Sequence, residues 1–185
     1  MQVSRSELIL GGQKSGKSRR AELLARDWLA QSPAHHALLI ATAQPWDGEM
    51  RERIARHQRD RAERVPGLQT LEEPRDLAAA LAQHSTAHTL VVVDCLTLWL
   101  TNLLMLEDDA RLLAEREALL DGLSELPGRI ILVSNESGLG VVPMGELTRR
   151  YVDEAGWLHQ AIAERCQRVV FTVAGLPMLL KGMPL

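Results

Sequence analysis

Leu8-Ile9-Leu10-Gly11-Gly12-Gln13-Lys14-Ser15-Gly16-Lys17-Ser18 is the stretch from which the rest of the chain is read. It satisfies the spacing G-x-x-x-x-G-K-S, with an apolar strand-like run before it and a helix-forming run after it. Glycines let the backbone curl so that several N–H groups point inward at phosphate oxygens. The start of the following helix adds positive partial charge. Lys17 is then the cation for the β- and γ-phosphates, and the Ser18 hydroxyl is a ligand for Mg²⁺. Lys14 has no role of its own in this reading and also fits plain surface charge.

Working outward, short apolar runs alternate with helical stretches. The runs are Leu8–Leu10, Ala37–Ala41, Thr89–Val93, Arg129–Val133 and Val169–Val173, with Gln69–Leu71 a weaker sixth. They show little polar alternation, which predicts strands covered on both faces and therefore a mainly parallel sheet. Helices are expected over Lys17–Ala30, Gly48–Arg61, Pro74–Gln83, Asp108–Leu123 and Pro143–Gln167, the last with a bend near Gly156. Gly175–Leu185 reads as a terminal tail. No repeat or linker interrupts the pattern, so residues 1–185 are expected to form a single α/β nucleotide-binding domain with right-handed crossovers.

Composition narrows the function classes. The 185 residues carry a net charge of −3 with histidine neutral, and 46% are hydrophobic. That profile suits an ordinary globular protein and gives no global pull toward nucleic acid. Aromatics are too sparse for a surface of stacked bases. Two cysteines, Cys95 and Cys166, exclude a disulfide-rich scaffold and a four-cysteine zinc site, and reduced thiols in the cytosol are expected. No segment has the ~18 uninterrupted apolar residues that a bilayer span requires, and the first residues lack a signal-peptide layout, so a cytoplasmic location is expected.

The run Thr89-Leu90-Val91-Val92-Val93-Asp94 ends a buried strand in a carboxylate at the edge of the sheet where ligands bind. Asp94 is the second candidate ligand for Mg²⁺, directly or through water; a helix-capping Asp fits the same position. Glu136, after Arg129–Val133, is a further candidate for metal or base duty. A kinase, a motor and a nucleotide-gated switch all share these features.

The segment Asp47 to Arg61 is the other informative one. Arg53, His57 and Arg61 lie four apart and so form one stripe on a helix. A histidine between two arginines tends toward its neutral, nucleophilic form, and flanking guanidinium groups suit a polyphosphate. Attack by His57 on a nucleotide phosphorus, giving a phosphoramidate, fits this chemistry. A solvated helix in which Glu49, Glu52 and Asp60 pair several arginines fits the same letters. His159 reads as structural.

Further stretches strengthen the reading: Ile40-Ala41-Thr42-Ala43-Gln44, Glu72-Glu73-Pro74, Val93-Asp94-Cys95-Leu96-Thr97-Leu98-Trp99, and Val133-Ser134-Asn135-Glu136-Ser137-Gly138-Leu139-Gly140-Val141-Val142-Pro143. Together with the phosphate loop and the Asp47 to His57 helix, the chain resembles the bifunctional adenosylcobinamide kinase/adenosylcobinamide-phosphate guanylyltransferase family of cobalamin biosynthesis. The resemblance implies a P-loop NTPase domain of RecA-like fold, with helices on both faces of a mostly parallel sheet, assembled as a homotrimer. It implies that a nucleoside triphosphate, ATP or GTP, phosphorylates adenosylcobinamide. GTP then gives GMP to adenosylcobinamide phosphate through a GMP-histidine, a role that falls here on His57. Some members carry two adjacent histidines; this chain has Arg56 in front of His57. Ser137 and Leu68 depart from a common valine and tryptophan. Nucleotide contacts are implied for Gly11, Gly12, Gln13, Lys14, Ser15, Gly16, Lys17, Ser18, Thr42, Ala43, Gln44, Gln58, Arg59, Asp60, Arg61, Glu72 and Asp94. No nucleic-acid partner and no membrane span are implied.

Overall fold

The computed structural model describes residues 4–44 and 48–183, without the side chains of Glu49, Met50, Arg53, Ile54 and His57. The described elements run β1 (Ser6–Gly11), α1 (Lys17–Leu29), β2 (His36–Ala41), α2 (Gly48–Arg64), β3 (Leu68–Glu72), α3 (Leu77–His84), β4 (Thr89–Asp94), α4 (Leu96–Leu104), α5 (Asp109–Gly122), β5 (Arg129–Asn135), α6 (Glu146–Arg165), β6 (Arg168–Val173) and β7 (Leu176–Lys181). The strands form one sheet in the order β3-β2-β4-β5-β1-β6-β7. All neighbours are parallel except β6 and β7.

Strand alternation divides the apolar residues between two cores. Leu8, Leu10, Leu38, Ile40, Val91, Val93, Ile130 and Leu132 face α3, α4, α5 and α6. Ile9, Leu39, Leu90, Val92, Ile131 and Val133 face α1 with its Ala21, Leu24 and Trp28. Both faces are thus covered, which is why the runs show no polar alternation.

Four expectations change. Gly175–Leu185, which reads as a tail in the sequence, contains β7, which pairs antiparallel with β6 through a two-residue turn at Ala174 and Gly175, both at positive φ. Leu96–Leu104, unassigned from the letters, is α4, and six of its nine residues are buried. α3 begins at Leu77 rather than at Pro74, because Glu73 Oε1 accepts from the N–H groups of Arg75 and Asp76 at 2.9 and 2.8 Å and holds them in a turn. The last helix runs through Gly156 without interruption.

One charged residue is fixed inside the α1 face. Glu7 of β1 is 0% exposed and accepts from Arg20 of α1 at 3.1 Å and Arg168 of β6 at 3.3 Å. The three ions tie the phosphate-loop strand to the helix after it and to the next strand. Glu7→Ala removes the buried carboxylate on which the Arg20 and Arg168 guanidinium groups converge, and breaking such a cluster costs about 3–5 kcal/mol. For a domain of this size that is on the order of a 10 °C drop in melting temperature, measurable by thermal unfolding of wild type and variant.

Candidate active site

The loop between β1 and α1 takes the conformation that its glycines permit. Gly11 and Gly16 have φ of 154° and 101°. A Cβ on Gly11 would lie 2.7 Å from Ser15 Oγ and closer still to the Thr172 carbonyl oxygen. A Cβ on Gly16 would lie 3.1 Å from the Gly175 Cα. The loop is therefore packed against β6 and the β6–β7 turn, and the Gly175 N–H donates to the Ser15 carbonyl at 2.8 Å. This brace was not legible in the sequence, where Gly175 opened a tail. Gly11→Ala forces the loop off β6, a backbone displacement of the kind that costs about 1–3 kcal/mol. The expected result is triphosphate binding weakened roughly 10- to 100-fold by calorimetric titration, with the fold retained.

Lys17 opens α1 and is largely buried; its ammonium donates to the Gly12 carbonyl at 2.7 Å. Burial pushes its pKa below the usual lysine value, countered in part by the Asp94 carboxylate nearby. An anionic ligand in the loop would restore the charge's solvation that burial removes. Cys95 is itself pushed up to about 11 by burial and by Asp94, so the thiol is neutral. Both cysteines are free.

A cleft of about 610 Å³ opens over the carboxyl ends of β1, β4 and β2. Of the expected nucleotide residues, Gln13, Lys14, Ser15, Gly16, Lys17, Ser18, Ala43, Gln58, Arg61, Glu72 and Asp94 line it. Arg19, Ala41, Arg56, Cys95, Leu98 and Asn135 line it as well, without having been singled out for contact. Gly11, Gly12, Gln44, Arg59 and Asp60 are not among the lining residues. Thr42 stands behind the wall. It is 0% exposed, its hydroxyl donates to the Cys95 carbonyl at 2.7 Å and accepts from the Cys95 N–H at 2.9 Å. Asn102 completes the clamp by donating to the Thr42 carbonyl at 2.8 Å and the Pro74 carbonyl at 3.0 Å. Thr42 thus fixes the end of β2 to the end of β4, and so holds Asp94 in register with the loop.

Helix α2 forms the far wall. Gln58 donates to Glu72 at 3.2 Å, and Arg61 donates to Thr70 at 3.2 Å. Arg61 is buried, 3.7 Å from Glu22 of α1, which also pairs with Arg64. Arg61 is therefore a fixed strut rather than the free cation that the arginine stripe suggested. Arg56 is exposed and reaches the cleft. The backbone of residue 57 lies in α2, one residue from Arg56 and Gln58, while the side chain of His57 lies outside the described residues.

Ser18 and Asp94 both reach the cleft, and they are hard oxygen donors of the kind Mg²⁺ takes. Among the described residues no group of three or more His, Cys, Asp or Glu side chains could hold a metal ion. Two protein donors fit a cation that takes its remaining oxygens from phosphates and water. Glu136 is not among the cleft-lining residues; its carboxylate accepts from the Gly138 N–H at 2.6 Å and lies 3.7 Å from His159. No described helix is long and apolar enough to cross a membrane.

Comparison with known proteins agrees with this geometry. Residues 7–180 match the family described as cobinamide kinase / cobinamide phosphate guanyltransferase. The chain is 66% identical to the bifunctional adenosylcobalamin biosynthesis protein CobP of Pseudomonas aeruginosa, over 97% of this chain and 99% of that protein. It is 31% identical to the bifunctional adenosylcobalamin biosynthesis protein CobU of Escherichia coli, over 94% of this chain and 98% of that protein. A solved protein of Pyrococcus horikoshii superposes with a TM-score of 0.53 at 12% identity, covering 100% of this chain and 89% of that one, a likeness of fold.

Proposed function

The chain belongs to the cobinamide kinase / cobinamide phosphate guanyltransferase family, and from that membership we propose how its cleft serves the family's two reactions. The protein is a bifunctional enzyme of adenosylcobalamin biosynthesis, a kinase and a guanylyltransferase. In our reading the first reaction moves the γ-phosphoryl group of ATP or GTP to the hydroxyl of adenosylcobinamide. In the second, an imidazole nitrogen of His57 attacks the α-phosphorus of GTP. The bond from that phosphorus to the bridging oxygen breaks and pyrophosphate leaves. The phosphate of adenosylcobinamide phosphate then attacks the GMP-histidine, forms adenosylcobinamide-GDP and frees the imidazole.

The residues divide the work accordingly. The N–H groups of Gly11 to Ser18 and the Lys17 ammonium grip the triphosphate tail. Ser18 and Asp94 hold Mg²⁺, which when bound neutralises charge on the phosphate oxygens. Ala43, Gln58, Arg61 and Glu72 flank the nucleoside within the cleft, Gln44, Arg59 and Asp60 stand outside its lining, and Thr42 secures the wall behind it. Residues 1–185 act as one nucleotide-binding domain, in a cytoplasmic homotrimer. The exposed apolar side chains of Leu176, Met178 and Leu180 on β7 are surface that such an assembly would cover.

The observation that supports this reading is the shape of the cleft. Arg56, Gln58 and Arg61 of α2 share it with the phosphate loop, so a triphosphate in the loop lies against the helix that carries His57. In-line attack needs close approach, which a neighbouring helix supplies. The test is product analysis with purified protein, adenosylcobinamide, ATP and GTP. Successive appearance of the phosphate and then the GDP derivative is expected; the phosphate alone, with no GDP product, would contradict the second half of the reading.

A further inference from the structure

Resting on the two-reaction reading, we propose that Glu136 accepts the proton of the acceptor hydroxyl during phosphoryl transfer, and that His159 is the positioning residue that aims it. The two reactions differ in what they ask of the protein. The kinase nucleophile is a hydroxyl, which must lose a proton as it attacks. The guanylyl acceptor is a phosphate monoester, already anionic near neutral pH, with no proton to remove. A base is needed by one reaction only.

The fold places Glu136 at the carboxyl edge of the sheet, one residue beyond the cleft-lining Asn135. β5 runs between β1, which carries the phosphate loop, and β4, which carries Asp94. Asn135 is in register with Gly11 and lines the cleft. The next residue, Glu136, donates its N–H to the Gly11 carbonyl at 3.0 Å, so its root is tied to the root of the phosphate loop. Its side chain is 22% exposed. Ser134, at 1%, and His159, at 7%, are not within a substrate's reach. The Ser134–His159–Glu136 sequence of contacts is therefore no accessible nucleophile with its base; the reachable end is the carboxylate.

The network behind Glu136 fixes one tautomer of His159. The Asn135 N–H donates to Thr97 Oγ1 at 2.8 Å. Thr97 Oγ1 is 3.3 Å from Ser134 Oγ, and Ser134 Oγ is 2.8 Å from His159 Nε2. His159 Nδ1 faces Glu136 Oε2 at 3.7 Å. If Nε2 carried the proton, the bare lone pair of Nδ1 would face the carboxylate. With Thr97 donating to Ser134 and Ser134 to Nε2, Nδ1 bears the hydrogen and faces Glu136. Burial lowers the pKa of His159, so the imidazole is neutral and orients the carboxylate without neutralising it. Tyr151, also on α6, is a further titratable group near Glu136. Glu136 Oε1 accepts from Gly138 at 2.6 Å, which fixes the second oxygen.

In the step itself, the bond from the substrate oxygen to the γ-phosphorus forms and the β–γ bridging bond breaks. The electron pair leaves on the nucleoside diphosphate, and the hydroxyl proton passes to Glu136. It is returned to water after product release.

The two activities control for each other. Phosphorylation of adenosylcobinamide and GMP transfer to supplied adenosylcobinamide phosphate are measured separately on Glu136→Gln, His159→Asn and His159→Leu. Glu136→Gln is expected to lose about 10²- to 10⁴-fold in the kcat of phosphorylation, with GMP transfer at the wild-type level. His159→Asn, whose amide N–H stands in for Nδ1–H, is expected to phosphorylate faster than His159→Leu with the same KM for triphosphate. Wild-type phosphorylation by Glu136→Gln, or equal loss of both reactions, would overturn the proposal. A wild-type protein that performs neither reaction would overturn the two-reaction reading, and this proposal with it.

Discussion

Lys17→Ala is expected to abolish triphosphate binding and with it both activities. In the free protein the Lys17 ammonium is largely buried and its recorded hydrogen bond is to the Gly12 carbonyl, 2.7 Å away. It is a cation held inside a curl of backbone amides, ready for an anion. Removing one partner of a desolvated, hydrogen-bonded charge pair costs on the order of 4 kcal/mol, or roughly 10³-fold in affinity. Alanine suits the first turn of a helix, so α1 and the fold should persist. Calorimetric titration with ATP and with GTP, beside a melting curve, checks both halves. Unchanged affinity, or loss of affinity only through unfolding, would contradict the assignment.

His57→Ala is expected to separate the two reactions. Without a nucleophile at residue 57 no GMP-enzyme forms, and GMP transfer should fall at least about 10³-fold. Phosphoryl transfer uses the phosphate loop, Asp94 and the acceptor hydroxyl, none of which involves residue 57, so its rate should stay near that of wild type. The pattern mirrors that expected for Glu136→Gln, and the two variants together assign each reaction its own group. Separate assays with adenosylcobinamide and with adenosylcobinamide phosphate read the outcome. Parallel loss of both activities would mean that residue 57 shapes the cleft instead of reacting.

The fold was readable where one physical signal dominated. Strands buried on both faces write themselves as unbroken apolar runs, which is why β1, β2, β4, β5 and β6 stand out. α4 was missed for a related reason. Leu96–Leu104 has six of its nine residues buried and only Thr97, Thr101 and Asn102 as polar positions, so it lacks the charged stripe that marks a surface helix. β7 was missed because it is an exposed edge strand with Pro177 near its start, and nothing local distinguishes that from a tail.

The site divides in the same way. The phosphate loop is legible because its chemistry lies within eight consecutive residues at fixed spacing. Glu136 is legible as a candidate for metal or base duty from its place after an apolar run, whereas its closeness to the loop, and that of Asn135, comes from the sheet order that inserts β5 between β1 and β4. The pairing of Glu136 with His159 crosses from the residue after β5 to α6, and no local pattern announces it; His159 alone reads as structural. Thr42 was singled out from a resemblance, and the structure gives it a physical task, clamping two strand ends.

The central claim is that a triphosphate in the phosphate loop is presented to an imidazole on α2. The most direct measurement is incubation of the wild-type protein with α-labelled GTP and no acceptor, followed by proteolysis and mapping of the label. The account predicts an acid-labile, alkali-stable adduct on His57, formed with release of pyrophosphate and chased off by adenosylcobinamide phosphate. An enzyme that makes adenosylcobinamide-GDP while carrying no label, or a label on any other residue, would contradict it.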